Sequence, residues 1–308
     1  MRIGARSRLD GAGAEERGAR DSTFDEAKPV RRRRNRAARP IDLEKVDRAV
    51  RQQLPSLARD MEAILEPCSR RRYRPGYATG QRLDLRRAMA FKADWRGYDR
   101  LWRRRDRPDR PMAAISLLVD LSGSMAGDKI EAATIGTMLL AETLERLAPT
   151  VRYAITGFQD ELIPFIAFGE TLSPLKRRAI LEMQLEAHSE RPNGLNRPRY
   201  NDDGPCLAEA AEHLIREPGQ RILFVVSDGQ PAGCRSNDAD LRAVTSRLSD
   251  PRANLTLFDL GLGNGTDHVA TFYPNAVANI PVDQFAARIG ALLMSVIGRS
   301  LRGPGHDR

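Results

Sequence analysis

The chain has 308 residues, of which 41% are hydrophobic and 30% charged, and its formal net charge is +9 at pH 7. That length suits one large domain of roughly 200 residues and a smaller region beside it. Three widely spaced cysteines, Cys68, Cys206 and Cys234, form no zinc or redox motif and point to a reducing, cytoplasmic setting.

No apolar run reaches the ~20 residues that a bilayer span requires, and no apolar segment follows the Arg-bearing N-terminus, so neither a membrane anchor nor a secretory signal is expected. Charge divides unevenly. Residues 1–110 carry 31 Lys and Arg against 17 Asp and Glu, whereas residues 111–308 carry 19 against 24.

Residues 1–40 have few large apolar side chains and are expected to form a disordered basic tail. Its run Arg31-Arg32-Arg33-Arg34, with Arg36 and Arg39, is a solvated arm or a contact for an acidic partner or nucleic acid. Residues 41–110 read as a basic, helical N-terminal region and linker. Val46, Val50, Leu54, Leu57, Met61, Ile64 and Leu65 recur at three- and four-residue steps, predicting one or two amphipathic helices with a break or kink at Pro55. Tyr73–Gly80, with Pro75 and Gly76, reads as loop. Leu83-Asp84-Leu85 opens a helix to about Phe91. From Trp95 to Arg110, aromatics interleave with arginines, a pattern that packs a linker onto a domain or stacks on bases.

Residues 111–300 read as the main domain and 301–308 as a tail. Ala114–Val119 is a short aliphatic run of the kind found in buried parallel strands, followed by a helix over Asp128–Leu147. Val151–Phe158 and Leu162–Phe168 are strands separated by three residues, which predicts a hairpin and hence an antiparallel edge strand. A helix over Leu172–Ala187 starts with Pro174 in its first turn. A polar loop over 188–202 leads to a helix over Cys206–Ile215, a strand over Arg221–Val226, and a helix over Asp238–Leu248. Asn254–Leu262 is the fifth strand, Asp267–Phe272 a short helix, Val277–Ile280 the last strand and Pro281–Ile297 a closing helix. The alternation predicts an α/β fold with a doubly wound, mostly parallel sheet.

Three loops of this domain are rich in oxygen. Asp120-Leu121-Ser122-Gly123-Ser124-Met125 follows the first strand, and Ser227-Asp228-Gly229-Gln230-Pro231 follows the fourth. Asn201-Asp202-Asp203-Gly204 lies between them, before a helix. Asp and Ser are also ordinary turn and N-cap residues. Open α/β sheets, however, bind ligands at the C-terminal ends of their strands, and a hard cation such as Mg2+ takes oxygen ligands. Asp120, Ser122 and Ser124 alternate along a turn, so their oxygens can converge.

These three motifs, in this order, resemble the metal-ion-dependent adhesion site of von Willebrand factor A domains. The resemblance implies a von Willebrand A or Rossmann-like fold and a Mg2+ or Mn2+ ion held by Asp120, Ser122, Ser124 and Asp228. Many family members place a threonine three residues before a glycine in the middle loop. Asn201 stands there in this chain, with Asp203 directly before Gly204, so either Asn201 or Asp203 is the middle ligand; Asp203 is equally suited to cap the following helix. In the family, a partner carboxylate completes the metal shell.

Within that superfamily, Asp120–Met125, Asn201–Gly204 with Leu207, Ile222–Pro231, and Leu260–Gly263 with Tyr273 resemble the C-terminal domain of the cobaltochelatase subunit that pairs with an AAA+ ATPase. Activation proteins of nitric oxide reductase look similar. The chelatase subunit carries a long acidic region before this domain, whereas the preceding region here is shorter and basic. The resemblance implies a non-catalytic adaptor that partners an AAA+ ATPase in metal insertion or client activation, as in cobalamin biosynthesis. The sequence has no P-loop and no Gly-x-Ser-x-Gly elbow, and its four histidines, His188, His213, His268 and His306, show no ligand spacing. Two competing readings are nucleic-acid binding through the Arg-rich front third and Mg-dependent hydrolysis.

Overall fold

A computed structural model describes residues 40–302, apart from 70–71, 94–95, 97–99, 107–111, 188–200, 229–230 and 234. The expectations for the basic tail over 1–39, most of the 188–202 loop and the end segment beyond 302 lie outside the described residues.

Helix α1 spans Leu43–Ser69 without interruption. Asp42 Oδ1 accepts from the amides of Glu44 (2.9 Å) and Lys45 (3.2 Å), closing its first turn. Pro55 sits within this helix and does not divide it. The proline lacks an amide and so removes one ladder bond, but burial of the stripe Val46, Leu54, Leu57 and Met61 holds the helix against the main core.

A small antiparallel sheet follows, built from β1 (Arg72–Tyr77), β2 (Arg82–Leu83) and β3 (Trp102–Asp106) in the order β1-β3-β2. Two expectations are corrected here. The Tyr73–Gly80 loop is largely β1, and the Trp95–Arg110 linker contains β3. Pro75 and Gly76 mark a bulge, where the β1–β3 register shifts between Pro75 and Tyr77; proline and glycine inside an edge strand carry that meaning rather than loop. Helix α2 (Leu85–Ala93) starts two residues later than Leu83, because Arg82 and Leu83 pair with β3.

The large sheet has six strands: β4 (Ala113–Asp120), β5 (Val151–Phe158), β6 (Leu162–Ile166), β7 (Gln220–Ser227), β8 (Leu255–Leu262) and β9 (Ala276–Ile280). Their order is β6-β5-β4-β7-β8-β9. All neighbours are parallel except β5 and β6, which form the expected antiparallel hairpin at the edge.

Both faces carry helices, as a doubly wound parallel sheet requires. On one face lie α1, α3 (Asp128–Arg146), α4 (Pro174–Leu181) and α8 (Phe285–Arg302); on the other lie α5 (Asp203–Ile215), α6 (Asp238–Leu248) and α7 (Val269–Phe272). Strand β4 is buried throughout, and its side chains alternate: Ile115, Leu117 and Val119 join the first core, Ala114 and Leu118 the second. Helix α4 ends at Leu181, short of the expected Ala187, and a 3-10 turn over Met183–Leu185 follows, burying Met183. Among the described residues no helix is long and apolar enough to cross a membrane.

Candidate metal centre

The chain leaves β4 for β5 and β6 on one side of the sheet, then returns to β7 on the other. Asp120, the last residue of β4, and Asp228, directly after β7, therefore meet at the topological switch point, where open α/β sheets bind ligands. Each stands at the end of a mostly apolar, largely buried strand, so its carboxylate is carried to the sheet edge by a rigid element.

The first loop is tightly held. The Ser122 amide donates to Asp120 Oδ1 at 2.7 Å. Gln159 Nε2, buried beside the end of β5, donates to the Leu121 and Glu186 carbonyls. A 3-10 turn over Gly123–Met125 then aims Ser124 back across the site and buries Met125. Ser122 Oγ and Ser124 Oγ lie 2.9 Å apart, and Ser124 Oγ donates to Asp228 Oδ1 at 2.7 Å. The other oxygen of Asp228 is ion-paired with Lys129 Nζ from the first turn of α3.

In the middle loop the three polar residues take different roles. Asn201 Nδ2 faces Asp120 Oδ2 at 3.4 Å, while its Oδ1 accepts from the Ala232 amide at 3.2 Å. Asp202 occupies the N-cap position of α5 without a capping bond from its side chain; its carboxylate accepts from the Arg235 amide and Nε, each at 2.8 Å. Asp203 is the first residue of α5 rather than its cap, and its Oδ1 is buried with no hydrogen-bond partner. The Gly204 amide donates to Ser236 Oγ at 3.1 Å. The middle loop is thus stitched to the chain after β7.

Negative charge is concentrated in this space. Asp120 is fully buried, and desolvation, together with the charge of Asp228, pushes its pKa up to about 7. Asp203 is raised well above the ordinary carboxylate value, first by burial and then by the charges of Asp120, Asp259, Asp202 and Asp228. Asp259, inside β8, is also raised by burial, against the opposing pull of hydrogen bonds from the Leu260 backbone and from Ser227 Oγ, which lies 3.4 Å from each oxygen. Desolvated carboxylates with an orphaned oxygen, flanked by two hydroxyls and an amide, make a hard oxygen donor set that fits a Mg2+-type cation. Among the described residues no three His, Cys, Asp or Glu side chains form a metal-holding group. The candidate centre therefore relies on hydroxyl and amide oxygens as well as carboxylates.

The structure brings Ser122, Ser124 and Asp228 into one hydrogen-bonded chain and sets Asn201 against Asp120. Sequence reasoning missed Lys129, Gln159, Arg235, Ser236 and Asp259. None lies within the three oxygen-rich motifs. Each acts through a contact made across the fold, so no local signal marked it.

The strand order, the antiparallel edge and the helices on both faces give a doubly wound α/β fold similar to that of von Willebrand A domains. The family model described as the cobalamin biosynthesis protein CobT VWA domain matches residues 102–163, which run from β3 through the first oxygen-rich loop to the β5–β6 hairpin. The chain resembles that CobT domain. It is also 38% identical over 71 residues to Midasin of Giardia intestinalis, a match covering 23% of this chain and 2% of Midasin. Among solved structures it is similar to a von Willebrand factor type A protein from Catenulispora acidiphila, with 15% identity and a TM-score of 0.46 over 61% of this chain and 43% of the other. Proximal thread matrix protein 1 from the mussel byssus, with a zinc-occupied MIDAS motif, aligns at 12% identity and a TM-score of 0.43, covering 60% of this chain and 48% of that one. The chain thus spans less than half of each of these proteins.

Proposed function

We propose that this chain is a metal-dependent interaction subunit of the cytoplasm, in which Asp120, Ser122, Ser124 and Asp228, with Asn201 or Asp203, hold Mg2+ or Mn2+. The bound ion would supply a Lewis-acidic position that accepts an acidic side chain of a partner. The chain's own groups orient that position: Gln159 fixes the first loop, and the Asp202–Arg235 pair fixes the middle loop against the segment after β7. The partner in this reading is an AAA+ ATPase, and the shared task is metal insertion into, or activation of, a client metalloenzyme. The observation that carries it is the Ser122–Ser124–Asp228 chain, which joins loops 104 residues apart at the switch point beside the buried Asp120.

Binding to the native state alone raises the melting temperature as ligand is added. Mg2+ or Mn2+ is therefore expected to raise the melting point of the full chain relative to EDTA, and Asp120→Ala to abolish the shift. A shift of the same size in Asp120→Ala removes the metal reading. Pull-down of the candidate ATPase is expected to fail in EDTA and with Asp228→Ala; metal-indifferent capture leaves the fold but removes the docking mechanism.

A second reading draws on Arg82, Arg86, Arg87, Arg103 and Arg104, all exposed on β2, α2 and β3. Affinity for single-stranded DNA that falls steeply with salt and disappears on deletion of residues 1–110 would favour nucleic-acid contact.

A further inference from the structure

We infer that Lys129 is a built-in counter-cation for Asp228 and sets how tightly the centre takes a divalent metal, an inference that rests on the metal reading above. Both oxygens of Asp228 are engaged: Ser124 Oγ donates to one at 2.7 Å, and the Lys129 ammonium pairs with the other. The Asp228 side chain is 0% exposed and that of Lys129 31%, so the ammonium reaches a buried carboxylate from a stem at the surface. Its path is shaped by the fold. The stem lies against Gly263, where φ is +89° and an added Cβ would stand 3.1 Å from Lys129 Cε. That backbone conformation favours glycine, and the missing side chain leaves the lane that the lysine fills.

An ammonium and a divalent cation repel each other strongly when both approach one desolvated carboxylate. Lys129 is tethered, so it competes at every metal concentration. To use Asp228, a metal must push the ammonium aside, and that displacement lowers affinity. A partner's carboxylate arriving with the metal supplies the charge that offsets this cost, so tight loading depends on docking.

The test measures Mn2+ binding to the full chain by electron paramagnetic resonance of free Mn2+, for wild type, Lys129→Gln, Lys129→Arg and Asp120→Ala. Lys129→Gln is expected to tighten Mn2+ by at least about tenfold, as follows from removing a unit charge beside a +2 ion in a partly buried site, whereas Lys129→Arg stays near wild type. Binding by Lys129→Gln where wild type shows none also supports the inference. Equal or weaker binding in Lys129→Gln, with wild type binding normally, overturns the lysine's role and leaves the metal reading intact. Absence of binding in both wild type and Lys129→Gln overturns both. A measurement on unmutated protein guards against misfolding. Reductive methylation mapped by mass spectrometry is expected to modify Lys129 faster in Mn2+ than in EDTA, and an equal rate, with Mn2+ bound, counts against competition.

Discussion

Gly233 has no room for a side chain, because a Cβ there would stand 1.8 Å from Asp202 Oδ1. The close approach lets the Asp202 carboxylate take both the amide and the guanidinium of Arg235, which ties the middle loop to the segment after β7. Gly233→Ala is expected to break that tie, costing about 1–3 kcal/mol and lowering the melting temperature by several degrees in calorimetry. Asp259 works in the opposite sense. Its carboxyl is fully buried and its pKa raised, so the native state holds its proton more tightly than the unfolded chain does. The stability this contributes is complete below the ordinary carboxylate value of 3.8 and is lost as pH rises through the raised value. Asp259→Asn, which cannot ionise, should therefore melt higher than wild type at pH 8 by at least about 2 °C, with the advantage shrinking towards pH 4. An advantage that is flat across pH would locate the effect in packing instead.

Helix α1 shows how much an element's role depends on what it meets. Its 3.6-residue apolar period is plain in the sequence, yet the same stripe serves a free amphipathic linker as well as a core helix. Met61, 1% exposed, and Leu54 and Leu57, both buried, belong to the core cluster that includes α3 and α8. Leu57 also touches α8 at Gly290, where an added Cβ would stand 3.0 Å from its Cδ2. Met61→Ala is expected to cost about 2–5 kcal/mol, read as a lower denaturation midpoint. Deletion of residues 1–69 should leave a chain that melts much earlier than one lacking only residues 1–39, because the former uncovers the apolar faces of α3 and α8. Equal melting of the two truncations would show that α1 is dispensable to the core. The small sheet makes the same point from the other side. Pro75, Gly76 and Gly80 read locally as loop signals, while β3 supplies pairing partners from about 30 residues away.

At the scale of the whole molecule, the candidate centre is a product of strand order. Asp120 and Asp228 are 108 positions apart and become neighbours because β4 and β7 pair in parallel, Ala113 opposite Gln220 through Val119 opposite Val226. Much of this was legible beforehand. Aliphatic runs marked β4 and β7, the three residues before Leu162 marked the antiparallel edge, and the first and last oxygen-rich loops could be placed at strand ends. Those features depend on local periodicity and turn chemistry, which a sequence states directly. Partnership was not legible. Nothing local says that Lys129 reaches Asp228, that Gln159 holds the Leu121 carbonyl, that Asp202 takes Arg235, or that Asp203 keeps an unpartnered oxygen. Each of these follows from how helices dock on the sheet and from burial that strips water from one carboxylate while leaving another paired. Periodicity acts over a few residues and was set by the sequence alone; charge pairing and desolvation act across the fold, and only the tertiary structure decided them.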